Sequence, residues 1–206
     1  MNPLDKILST LISGVVLAVA LVFVIKAIAT GGQAPEAMLI LARWLHIAAG
    51  VTWIGLLYYF NFVQMPAMAD AAADKGGPGG AGVSKYVAPR ALLWFRWAAL
   101  VTWLSGALYL LADPSLGFLN AFTLGLLTDS WKHAIIGMGA WLGTIMLFNV
   151  WVIIWPNQKK ILGIVPATDE EKAKARRRAF LASRTNTMLS LPMLLFMASS
   201  AHGLPF

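Results

Sequence analysis

The chain has 206 residues, of which 59% are hydrophobic and only 12% charged, with a formal net charge of +7 and no cysteine. A soluble domain carries roughly 25% charged residues, so this composition points to a membrane protein. Without cysteine there are no disulfides, iron–sulfur clusters, thiolate metal sites or covalently attached c-type haem.

Five stretches lack Asp, Glu, Lys and Arg: 7–25, 44–69, 97–112, 133–158 and 185–206. A membrane helix needs about 20 mostly apolar residues. Four stretches meet this directly. The window 97–112 meets it if Arg96 sits at the membrane surface and Asp113 marks the far end. The runs are continuous rather than alternating, which argues against an outer-membrane barrel. The sequence therefore predicts an all-α integral membrane protein with five transmembrane helices in one domain, residues 1–206.

The first helix is expected over 1–32. Its apolar run is longer than the roughly 7–15 residues of a signal peptide core, so it is read as retained. The next two helices fall within 37–112. Between them, 70-DAAADKGGPGGAGVSK-85 reads as a flexible linker, and its glycines lack the GxxxxGK[ST] pattern of a phosphate loop. Residues 115–128, SLGFLNAFTLGLLT, are apolar but short, and are expected to lie at the interface or re-enter. The last two helices fall within 129–203. Before the final one, Thr168 can cap with Glu171 three residues later, and acids precede bases in 168-TDEEKAKARRRAFLASR-184.

The chain partly repeats itself at an offset of 88 residues (141 − 53). Trp53-Ile54-Gly55 falls on Trp141-Leu142-Gly143, Phe60-Asn61 on Phe148-Asn149, and 90-RALLWFR-96 on 178-RAFLASR-184. One offset holds across a helix and the connection after it. The repeats are parallel, so helices two to five are expected to form a pseudo-two-fold four-helix bundle with the first helix added. Gly50, Gly55, Gly139 and Gly143 are expected to admit close helix contacts. Asn61 and Asn149 are expected to bridge helices. Arg96 and Arg184 are expected to snorkel to the surface. Trp53 and Trp141 are expected to line the core, and the other tryptophans to sit in interfacial belts.

Charge placement predicts orientation. With the N-terminus inside, 13 of the 16 basic residues fall on the inner side, leaving Lys26, Arg43 and Lys132. The positive-inside rule then predicts a multi-pass protein of the bacterial inner membrane, N-terminus cytoplasmic and C-terminus periplasmic. The basic run 172–178 reads as a topology anchor against lipid headgroups rather than a nucleic-acid site.

All three histidines fall toward the outer side in this topology. His46 lies ten residues beyond Glu36, about 15 Å along its helix. His133 lies near the start of helix four and His202 near the end of helix five. Ionisable residues inside spans are functional candidates. The sharper reading is b-type haem held by His46 and His133, with His202 as the alternative ligand. Ala42, Ala49 and Gly50 share the His46 face. His133, Gly137, Ala140 and Thr144 share a second small face. Arg43 is placed to pair with a propionate. A plain metal site of three histidines would have no spacing signature. The plainer reading is that small residues serve packing and the histidines hydrogen-bond. The offset puts His46 on Ala134 rather than His133, a slip of about 100°.

The pattern R-W-x-H-x-x-x-G-x-x-W-I-G in 43-RWLHIAAGVTWIGLLYYFNFVQMP-66, with 148-FNVWVIIWPNQKKILG-163, resembles the membrane domain of bacterial urate hydroxylases, the urate oxidase N-terminal domain. The likeness covers roughly residues 37–203. It implies a polytopic membrane protein linked to respiratory electron transfer, with His46 as the motif histidine. Similar full-length proteins continue into a cytochrome c domain. This chain has no CxxCH, so urate oxidation itself is not expected of it.

Two functions follow as expectations. One is a membrane-embedded electron-transfer protein, an oxidoreductase component with haem b at His46, His133, Arg43, Gly50, Trp53 and Trp141, working with a membrane or periplasmic redox partner. The other is a non-catalytic subunit packed in a larger membrane complex.

Overall fold

The computed structural model describes residues 3–28 and 37–204, and every regular element among them is helical. The chain divides into two units, 1–37 and 38–206. In the first, α1 spans Ile7–Ile28. The expected ends of that helix beyond 28, and Glu36, lie outside the described residues.

The second unit holds α2 (Ala37–Tyr58), α3 (Met65–Ala73), α4 (Ala88–Ala112), α5 (Phe118–Phe122), α6 (Trp131–Phe148), α7 (Trp155–Ile161) and α8 (Asp169–His202). Its core is shared by both copies of the repeat. Trp53 and Leu57 from α2 meet Phe95 and Ala99 from α4, Met146 from α6, Val150 and Ile154 after it, and Met193 from α8. Among the described residues four helical stretches are long and apolar enough to cross a membrane: Ile7–Ile25, Met38–Ala73, Val83–Ala112 and Trp131–Ile161. The fifth expected span is helical within α8 but less apolar. Its inward face carries Asn186, Ser190 and Ser199, all buried.

Among the described residues three wide π turns interrupt the helices, at Tyr59–Gln64, Val83–Val87 and Asn149–Ile154. Each runs directly into a helix with proline in its first two positions: Pro66, Pro89 and Pro156. Proline has no N–H to give and its ring collides with the carbonyl four residues back. Those carbonyls belong to Phe62, Lys85 and Val152, each inside its π turn. Widening the turn relieves the collision without ending the helix. Pro192 lies inside α8 without such a turn, so proline alone does not enforce it.

Two asparagines at equivalent places tie the copies to α8. Asn61 Nδ2 donates to Ser183 Oγ (2.8 Å) and to the Leu57 carbonyl (2.8 Å). Asn149 Nδ2 donates to Asn186 Oδ1 (2.8 Å), and Asn186 Nδ2 to the Met146 carbonyl (3.0 Å). Buried amides in an apolar bundle need such partners.

α8 begins with the capping box read from its sequence. Thr168 Oγ1 accepts from the Glu171 amide (3.2 Å), and Glu171 Oε2 accepts from the Thr168 amide (2.9 Å).

Three expectations need correction. The expected linker 70–85 is narrower than its sequence suggests: α3 continues to Ala73 and a π turn starts at Val83, with irregular backbone at 74–80 between them. Gly55 and Gly143 are not close-packing glycines, since a Cβ at either would meet nothing within 4 Å. Trp141 does not line the core. It is 43% exposed, while its repeat mate Trp53 is 2% exposed. The indole of Trp141 is drawn outward because its Nε1 donates to the Phe122 carbonyl of α5 (3.0 Å).

Candidate cofactor site

His46 lies in the interface between α2 and α4. Its Nδ1 stands 2.7 Å from the Thr102 carbonyl oxygen. A carbonyl only accepts, so Nδ1 carries the proton and the Nε2 lone pair is left over. Among the described residues Nε2 has no hydrogen-bond partner. This is how a metal-binding imidazole is usually held, with the far nitrogen fixed by a backbone carbonyl.

Gly106 makes the arrangement possible. A Cβ there would stand 2.8 Å from both His46 Nδ1 and Cε1. Gly106 is one turn beyond Thr102, so α4 presents an acceptor and a gap on one face. Gly50, one turn beyond His46, faces the Thr102 methyl at an ordinary 3.7 Å. Ala42, one turn before His46, is buried. Trp53 continues that face, and its buried Nε1–H has no hydrogen-bond partner.

His133 is held quite differently. Its Nε2 lies 3.0 Å from the Ser115 carbonyl and its Nδ1 2.6 Å from Thr128 Oγ1. The carbonyl requires the proton on Nε2, so Nδ1 accepts from the Thr128 hydroxyl. Both nitrogens are engaged, and the ring pins segment 115–128 to α6. That segment packs closely: a Cβ at Gly137 would stand 1.9 Å from the Ala121 carbonyl oxygen. The left-handed turn at Leu124 and Gly125 folds it back (φ 54° and 73°).

His202 is exposed at the end of α8. Among the described residues no group of three His, Cys, Asp or Glu side chains is placed to hold a metal ion.

Arg43, one turn before His46, donates from Nη2 to the Tyr109 hydroxyl, and its guanidinium lies 4.9 Å from that ring's centroid. Beyond Tyr109, Asp113 Oδ1 accepts from the Ser115 amide (2.8 Å) and hydroxyl (2.6 Å). Burial pushes the Asp113 carboxyl up. The hydrogen bonds from Ser115, Tyr109 and the Leu116 amide outweigh it, so the group titrates below the usual carboxylate range. Arg43, Tyr109, Asp113, Ser115 and His133 thus form one polar chain across this end of the bundle.

Do these residues fit a haem? On one side they do. His46 offers a free Nε2 with a fixed ring, small neighbours at Ala42 and Gly50, and an orphaned indole donor at Trp53. His133 offers no free nitrogen, so the pair does not stand as two ready axial ligands. Thr102, Gly106 and Tyr109 escaped the sequence reading. They contact α2 from about 56 to 66 positions away, and only the Thr-x-x-x-Gly spacing on α4 hints at them.

Comparison with known families gives one result. The family model described as urate oxidase N-terminal matches residues 33–115 and again 115–206, so its two segments follow the two copies of the repeat. No curated protein matches, and no solved structure matches. The two segments together cover most of the chain, and the protein belongs to the urate oxidase N-terminal family.

Proposed function

We propose that this chain is a membrane-embedded electron-transfer module that holds haem b through His46. The observation that carries this reading is the state of the His46 ring: Nδ1–H given to the Thr102 carbonyl, Nε2 unengaged. Haem, when bound, supplies one-electron chemistry. The chain supplies the rest. The Thr102 carbonyl fixes the tautomer and makes Nε2 a better donor. Gly106 leaves room for the ring. Trp53 Nε1–H offers a donor to a polar edge of the ligand. Arg43 supplies the positive charge expected near a propionate, once released from Tyr109. The outer, periplasmic placement of this end rests on the positive-inside distribution of Lys and Arg, and a membrane or periplasmic redox protein would be the partner.

The test is the optical spectrum of protein purified after expression with haem supplied. A Soret band and a reduced α-peak are expected, lost in His46→Ala and kept in His133→Ala. A folded, colourless wild-type protein would sink the reading and leave the non-catalytic subunit in its place. Loss in both variants alike would return His133 to the ligand set.

A further inference from the structure

At the opposite end of the bundle, Trp155 at the start of α7 is flanked by two cations. The Arg96 guanidinium lies 3.8 Å from the indole centroid and the Lys159 ammonium 5.9 Å. Among the described residues neither is paired with a carboxylate. The ion pairs among the described residues are Lys160–Glu171, Lys172–Asp169 and Lys174–Glu170, which occupy the acids of the α8 start. Two positive groups therefore converge on one indole, and no carboxylate among the described residues pairs with either. Contact with the ring holds the guanidinium against the indole face and leaves its N–H donors without a protein carboxylate among the described residues.

An apolar groove lies on the stretch of α4 that carries Arg96. Leu93, Trp94 and Trp97 line an open space of about 250 Å³ with no polar surface in its wall. Arg96 belongs to the same turn of α4 as these residues. Trp97 packs edge-on against Trp151 (5.5 Å), one turn before Trp155, which ties the groove wall to the segment that meets the cations. All three lining side chains are exposed on the surface of the chain.

We propose that this surface is a binding site for one anionic phospholipid. The phosphate sits between Arg96 and Lys159, and an acyl chain lies along Leu93, Trp94 and Trp97. A free phosphate would satisfy the cations but not the groove. A neutral lipid would fill the groove but leave the cations uncompensated. Only an anionic lipid satisfies both.

The experiment is native mass spectrometry of the full chain in detergent, titrated with phosphatidylglycerol or phosphatidylcholine. The wild type is expected to retain phosphatidylglycerol preferentially. Arg96→Gln with Lys159→Gln should reduce that retention roughly thirtyfold, as expected for two cations near an anionic surface. Arg176→Gln with Arg178→Gln removes the same charge from the exposed face of α8 and should leave it unchanged. Leu93→Gln, on the exposed groove wall, keeps both cations and should weaken the lipid without altering its competition by inorganic phosphate. Three results would overturn the proposal: no preference between the two lipids, equal losses in the two charge-removal variants, or displacement of the lipid by inorganic phosphate at equal concentration.

Discussion

In the first copy of the repeat, α2 meets α4 across the His46 ring, with Gly106 yielding space and Thr102 accepting its proton. In the second copy, α6 meets α8 across Gly139 and Met197, where a Cβ on Gly139 would come within 3.2 Å of Met197. The offset of 88 places Ala134 where His46 stands, Ser190 where Thr102 stands and Leu194 where Gly106 stands. One helix-pair plan is thus packed two ways. The second copy closes on small and flexible apolar groups and forms the tighter half of the bundle. The first keeps an imidazole in the seam, with one nitrogen tied down and one free. The two copies share one scaffold, and these three positions set their seams apart.

Swapping the seam residues should break this contrast most strongly. Gly106→Leu imports the second copy's residue and should eject the His46 ring. A loss of about 3 kcal/mol is expected in detergent unfolding, with any haem absorbance abolished. Leu194→Ala, at the equivalent position of the other copy, should cost about 1 kcal/mol or less, because that side chain is 43% exposed. Equal effects would mean the seams are not different in kind.

A smaller effect separates glycines that touch from glycines that do not. Gly137→Ala drives a methyl into the Ala121 carbonyl and should cost about 2 kcal/mol. It should also raise the protease sensitivity of 115–128. Gly143→Ala meets empty space and should stabilise by up to about 1 kcal/mol through helix propensity. Thermal melts of the two variants decide the matter.

The starts of α4 and α8 differ as well. α8 has its capping box, while α4 has no side-chain cap. Thr168→Ala should cost about 1 kcal/mol, whereas Val87→Ala should not register as a capping loss.

The mildest change is expected at Asp113. Its folded pKa is depressed, so its stabilising contribution is present above the unfolded value of about 3.9 and is lost as pH falls through the folded one. Unfolding midpoints taken across the acid range should fall less steeply in Asp113→Asn. An unchanged acid profile would remove Asp113 from the network that joins Arg43 to His133.

Local signals made much of the fold readable in advance. The Thr168–Glu171 box spans three residues, so its hydrogen bonds were legible before any packing was known. Phe-Asn at 60–61 and 148–149 announced buried bridging amides, because an amide in an apolar run must find a partner. The site was legible only in part. His46 stood out as a histidine in a greasy helix, but Thr102 and Gly106 are distant in sequence and chemically plain. His133 looked equivalent to His46 because its partners come from 115–128. That path depends on left-handed turns at Leu124, Gly125 and Asp129, which nothing in an apolar stretch announces. Trp141 was misplaced for the same reason, since α5 draws its indole outward.

The wide turns before Pro66 and Pro156 have a consequence for how the two copies drifted apart. The asparagines are 88 residues apart (149 − 61), but the prolines are 90 apart (156 − 66). The offset is again 88 beyond them, at 90–96 and 178–184, so the proline has moved within the repeat while the repeat kept its register. The π turn has moved with it: both turns are six residues long, and the asparagine stands third in the first and first in the second. Two residues of an α-helix amount to about 200° of rotation, yet both asparagines stay buried and both reach α8. The widened turn follows the proline, and the helices on either side keep their faces.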